Sequence, residues 1–181
     1  MLASAFFVCL SILTAHAQSA VDLYGNIVNP FIQGSGKVIV LIFLRHDCPI
    51  SSRYAPVIQQ ISARYQRDTA FFLIYPDKSE SPQTLRKYIK DYGYRLPALR
   101  DPQHILVKYA KAETTPEAAV FNRDRQLIYH GRIDNWYVDF SRPRPAPTTH
   151  ELSDAIEAAI TGKLLTVSAV KGVGCYVADH D

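Results

Sequence analysis

Three cysteines occur in the chain, Cys9, Cys48 and Cys175. Cys48 stands in Arg45-His46-Asp47-Cys48-Pro49-Ile50-Ser51, where an apolar run gives way to a helical pattern. A thiol at a helix start meets free backbone N–H groups and the positive end of the helix dipole, and both favour the thiolate. Arg45 and His46 push the same way, while Asp47 opposes them. The thiolate is the nucleophile in disulfide exchange and in attack on peroxide. A buried, inert cysteine is the alternative, but a Cys-Pro pair at a strand-to-helix turn is a poor core position. Ser51 can hydrogen-bond the thiolate or be an ordinary first-turn residue. His46 can tune the thiol or donate a proton, or be a plain loop histidine.

Cys175 lies far along the chain in Gly172-Val173-Gly174-Cys175. The glycines make this segment pliable, as a resolving cysteine arriving from a tail requires. A spectator thiol and a purely structural bridge are the other readings. His46, Cys48, Cys175 and His180 are soft or borderline ligands that can hold copper. Arg132 and Asp134 are expected to pair locally. Trp136 and Tyr137 are expected to pack, or else to line a groove.

Positioning such a thiol takes a sheet and helices. Residues 38–44 form an unbroken apolar run, the mark of a strand buried on both faces. Tyr54, Val57, Ile58, Ile61 and Tyr65 follow at helical spacing, and Pro56 inside that pattern predicts a kink. Residues 70–75 read as a second buried strand. Ser81 with Pro82 predicts a capped helix reaching about Tyr92 and closing at Gly93. An extended link at 96–99 and a helix at 103–111 come next. Residues 118–121 and 126–130 predict a hairpin around Asn122-Arg123-Asp124-Arg125. After a Pro-rich loop at 141–147, Thr148 with Glu151 predicts a capping box. Leu152, Ala155, Ile156, Ala159 and Ile160 then line a last helix that ends at Gly162. Buried parallel strands joined by helices imply a right-handed βαβ core.

The 181-residue chain is 48% hydrophobic and 20% charged, a globular composition. Its net charge of +3 is spread, without the basic clusters that nucleic-acid binding calls for. Residues 2–13 are almost continuously apolar and precede Ala15-His16-Ala17, the form of a signal peptide cut after Ala17. An uncleaved N-terminal anchor is the alternative, although the run is shorter than the roughly 20 residues a span requires. The expected organisation is a signal peptide at 1–17, one domain at 18–162, and a tail at 163–181 that carries Cys175. Export and no stable membrane span follow from that reading. Two remaining cysteines are too few for a disulfide scaffold, so they offer one bridge, structural or redox-active.

The run Phe43-Leu44-Arg45-His46-Asp47-Cys48-Pro49-Ile50-Ser51, with Pro56 farther into the helix, resembles the thioredoxin-like superfamily. Thr114-Thr115-Pro116 before the strand at 118–121 is similar to that family's cis-proline loop, which lies against the active cysteine. The extra strand and helix between Cys48 and Pro116 are similar to exported redoxins and to the alkyl hydroperoxide reductase/thiol-specific antioxidant group. The resemblance covers residues 20–162. It implies an α/β, thioredoxin-like three-layer sandwich with a central mixed β-sheet flanked by helices. It also implies a thiol oxidoreductase without cofactor or metal. Its substrates would be protein disulfides or small peroxides, with an external thiol as reductant. Cys48, Thr115, Pro116, Ser51, His46 and Arg45 are then the site, with Cys175 as resolving partner. Two departures matter. Ser51 stands where the family has its second motif cysteine, which rules out a dithiol reductase confined to the motif. Arg45 stands where peroxiredoxins carry Thr. Copper-handling members of the fold use two close cysteines and a distant histidine; this motif lacks the close pair. A redox-inactive binding module is the third class.

Overall fold

The computed structural model describes residues 18–177. The expected signal peptide, Cys9 and His180 lie outside them. The chain opens with a short hairpin of β1 (Ala20–Asp22) and β2 (Ile27–Val28), followed by the single turn α1 (Pro30–Gln33). Then β3 (Val38–Phe43) leads into α2 (Pro49–Arg53) and α3 (Ala55–Tyr65), and β4 (Thr69–Tyr75) into α4 (Pro82–Asp91). Next come β5 (Ala98–Arg100), α5 (Ile105–Ala110) and β6 (Thr114–Thr115). The hairpin of β7 (Glu117–Phe121) and β8 (Leu127–Gly131) precedes the small ribbon β9 (Tyr137–Asp139) and β10 (Arg142–Pro143). The last elements are α6 (Glu151–Thr161), β11 (Ala169–Val170) and β12 (Cys175–Tyr176).

One mixed sheet of eight strands organises the molecule, in the order β11-β8-β7-β3-β4-β5-β1-β2. β3 is parallel to β4 and antiparallel to β7, so it lies at the centre. Every residue of β3 is buried, as its unbroken apolar run requires. Strand alternation divides that run between two cores. Val38, Val40 and Ile42 pack with Ile58 of α3, Leu85 of α4 and Ile156 of α6. Ile39, Leu41 and Phe43 pack on the opposite face with Phe31 of α1 and Leu106 of α5. The result is helix, sheet, helix: the three-layer sandwich expected from the sequence. Among the described residues no helix is long and apolar enough to cross a membrane.

Local chemistry explains most boundaries. Ser81 caps α4 by accepting the Thr84 N–H at 3.0 Å, and Pro82 starts the helix where its missing N–H costs nothing. The expected single kinked helix after Cys48 is instead two helices that break at Tyr54. Pro56 falls in the first turn of α3, where no intrahelical N–H is needed. The capping box expected from Thr148 and Glu151 does not form. Thr148 instead donates its N–H to Asn135 Oδ1 and accepts from Asn135 Nδ2, each at 2.7 Å, while His150 occupies the cap position. Nor do Arg132 and Asp134 pair with each other. Arg132 binds Glu151, and Asp134 accepts the Tyr54 hydroxyl at 2.6 Å. In both cases partners distant in sequence outcompete local ones. Trp136 and Tyr137 pack edge-on and tilted against Tyr54.

Candidate active site

The C-terminal end of β3 delivers the chain into a turn closed by Cys48 N–H on Arg45 O, and Cys48 becomes the cap residue of α2. Its side chain makes no capping bond and is 0% exposed. The sulfur lies 3.2 Å from the carbonyl oxygen of Thr115. The Thr115–Pro116 peptide bond is cis. Thr115 and Pro116 therefore stand against Cys48, from a loop more than sixty residues away in sequence.

Cys175 arrives from the tail. β12 pairs antiparallel with β6, with Cys175 directly opposite Thr115. Thr115 Oγ1 donates to Cys175 O at 3.3 Å, and Val177 N–H extends the ladder to Glu113 O at 2.9 Å. This register brings both the thiol and the backbone N–H of Cys175 to the Cys48 sulfur. The two cysteines are free thiols in contact, one buried and one half-buried.

Burial pushes the Cys48 thiol up, but hydrogen bonds to its thiolate outweigh it. They come from the Cys175 thiol, the Ser51 N–H and hydroxyl, and the Cys175 N–H, and they hold Cys48 below its ordinary value. Cys175 is pushed up to about 12, by burial first and then by its bond to Cys48 and the Cys48 charge. One contact therefore shifts the two thiols in opposite directions: the Cys175 thiol donates to the Cys48 sulfur, which lowers Cys48 and raises Cys175.

The remaining candidates divide. Ser51 is fully buried on the Cys48 sulfur, and its Oγ also accepts the Arg45 N–H at 3.5 Å. Arg45 turns its guanidinium to Asp47 and Asp77, at 2.8 and 3.2 Å. Its charge reaches Cys175 instead, pulling that thiol down against the larger upward effects. His46 faces Glu80, which accepts both its Nδ1 and its backbone N–H at 2.7 Å. Glu80 is buried, which raises its carboxyl despite those bonds.

Two residues at the site were missed from the sequence. Glu80 lies in a polar loop whose acids look solvent-facing. Glu117 is buried beneath the cis-proline loop, where Oε2 accepts the N–H groups of Glu113 and Thr114, each at 2.9 Å, and the Thr114 hydroxyl at 3.1 Å. Its isolated position between Pro116 and Ala118 was the available hint, since a lone acid in an apolar strand needs partners.

A candidate cation cluster among the described residues comprises His46, Asp47 and Glu80, whose ligand atoms lie within 4.8 Å. Asp47 spends both oxygens on Arg45 and Glu80 one on His46, while Glu80 Oε2 is buried without a hydrogen-bond partner. Of the copper set considered from the sequence, Cys48 and Cys175 meet, His46 binds Glu80, and His180 lies outside the described residues.

No protein-family model matches the chain, and no curated protein matches it. Solved structures do. An uncharacterized conserved protein of Geobacillus kaustophilus is 23% identical, aligned over 90% of this chain and 88% of that one, with a TM-score of 0.76. The exposed lipoprotein thioredoxin Etrx1 of Streptococcus pneumoniae is 18% identical over 80% and 97% of the two chains, TM-score 0.57. A secreted Mycobacterium tuberculosis disulfide oxidoreductase homologous to E. coli DsbE is 16% identical over 82% and 98%, TM-score 0.56. The fold is thioredoxin-like. The thioredoxin-like arrangement places the end of the central strand, the start of the following helix and the cis-proline loop around one point, and Cys48 occupies it.

Proposed function

We propose that this protein is an exported thiol–disulfide oxidoreductase in which Cys48 is the nucleophile and Cys175 the resolving thiol. The observation that carries the reading is the contact of the two thiols, with Cys175 and Ser51 donating to the Cys48 sulfur. The Cys48 thiolate attacks a substrate disulfide, forming a mixed disulfide and releasing one substrate thiolate. Cys175 then gives up its proton to the released substrate thiolate and attacks the Cys48 sulfur. The second substrate thiolate leaves, and a Cys48–Cys175 disulfide remains. An external thiol returns the pair to the dithiol. Ser51, Thr115 and Pro116 position the thiolate. Protein disulfides are favoured over peroxides because Arg45, the cation beside Cys48 in sequence, is spent on Asp47 and Asp77. The disulfide oxidoreductase and lipoprotein thioredoxin among the structural relatives support both the reaction class and export.

The test is equilibration in glutathione redox buffers followed by non-reducing peptide mapping. A Cys48–Cys175 peptide is expected. Cys48 remaining a free thiol across fully oxidising buffers overturns the reading.

A further inference from the structure

The two sulfurs differ in access. Cys48 is completely enclosed, whereas Cys175 rides on the tail that encloses it and is half-exposed. That tail is a strap. β11 lies parallel to β8 at one end of the main sheet, and β12 is seated on the cis-proline loop. Glycines allow the close approach at three points. A Cβ on Gly131 would sit 2.0 Å from Val170 O. One on Gly174 would sit 2.1 Å from Thr115 O, and one on Gly172 2.9 Å from Thr114 Oγ1. No real Cβ tolerates the first two distances, so the strap lies where it does because these positions have no side chain.

We propose that in the oxidised protein Cys175, not the motif cysteine Cys48, is the sulfur attacked by the external thiol. This rests on the reading of Cys48 and Cys175 as one redox pair. Thiol–disulfide exchange depends on which sulfur can be reached and on how well the other leaves. With the bond formed, the strap is tied down over Cys48, and solvent reaches only the Cys175 side. An incoming thiolate bonds to the Cys175 sulfur, the Cys48–Cys175 bond breaks, and Cys48 departs with the electron pair. It departs into a ready cradle of Ser51 N–H, Ser51 hydroxyl and Cys175 N–H. Its lowered pKa makes it the better leaving group of the two. A second thiolate then attacks the external sulfur of the mixed disulfide. The external disulfide leaves, and Cys175 takes a proton from water.

The experiment uses the oxidised protein and glutathione, quenched in acid within the first turnover, alkylated and mapped. Glutathione on Cys175 with Cys48 alkylated is the expected result. Glutathione on Cys48 with Cys175 free overturns the inference while leaving the redox pair intact. Absence of any Cys48–Cys175 bond in the starting material overturns both. Gly174→Ala supplies a second measurement, since it must lift the strap yet keeps both thiols. It should raise iodoacetamide labelling of Cys48 in the reduced protein several-fold and let glutathione appear on both cysteines of the oxidised one. Unchanged labelling, in a variant that melts as the wild type does, would mean that the strap is not what shields Cys48.

Discussion

The two thiols meet from opposite kinds of structure. Cys48 follows β3, a strand buried along its whole length and hydrogen-bonded on both sides. Cys175 belongs to a stretch, 163–177, in which no residue is fully buried and the only regular structure is two strands of two residues each. Segments with little buried apolar surface open locally at low free-energy cost, whereas central strands open only with the whole domain. One sulfur is therefore fixed and its partner can travel. Ser51, three residues after Cys48 on α2, offers a hydroxyl and no second thiol, and in the proposed reading the tail brings the partner sulfur.

The sharpest way to break this comparison is to remove each sulfur. Cys48→Ser should abolish disulfide exchange. Cys175→Ser should also stop turnover but retain the first half-reaction, so that intact-mass analysis finds a mixed disulfide persisting on Cys48. Wild-type turnover in Cys175→Ser would make the strap a spectator.

A pH series separates the same two sulfurs. Folded Cys48 releases its proton below the ordinary thiol value of 9.0, so its contribution to stability grows with pH up to that value and is lost as pH falls through the folded midpoint. Folded Cys175 holds its proton to about 12, so its contribution is complete below 9.0 and declines from there towards 12. The melting-temperature difference between the wild type and a Cys48→Ala/Cys175→Ala double variant should be greatest near pH 9.0. A difference that is flat across the series would show that folding does not shift the two thiols in opposite directions.

The fixed half of the site was legible in the sequence and the movable half only in outline. The apolar run before Cys48 dictates a central strand whatever surrounds it, and Ser81-Pro82 is a local signal read by its own backbone. Thr148 carries an equally good local signal, yet Asn135 takes both its N–H and its hydroxyl oxygen. Arg132 likewise passes over Asp134 for Glu151 on α6. Such choices depend on what the fold brings near, which spacing does not encode. Gly172 and Gly174 announced a pliable tail, but their physical role is clearance against Thr114 and Thr115. That requirement becomes visible only when the cis-proline loop is in place.

Glu117 joins the two halves, because it holds the loop on which β12 pairs. Glu117→Ala would leave the N–H groups of Glu113 and Thr114 without their acceptor in a buried setting. The expected cost is about 2 kcal/mol, a fall of about 5 °C in melting temperature for a chain of this size. Labelling of Cys48 should rise as the seat of the strap loosens. A stability loss with unchanged labelling would uncouple the loop from the strap.

The smallest expected effect belongs to the residue whose sequence position looks most catalytic. His46 is two residues before Cys48, but its ring nitrogen is on the Glu80 carboxylate, and Glu80 also holds the His46 backbone N–H. In His46→Ala the backbone bond survives and one side-chain bond to a buried carboxylate is lost, a cost of about 1 kcal/mol. The Glu80 carboxyl, already raised by burial, should rise further once the ring that opposes burial is gone. Iodoacetamide labelling of Cys48 across pH should keep the wild-type midpoint, because the donors to its sulfur are Cys175 and Ser51. A displaced midpoint would show the imidazole acting on the thiol. The fixed half of the site would then include a titrating neighbour as well as a scaffold.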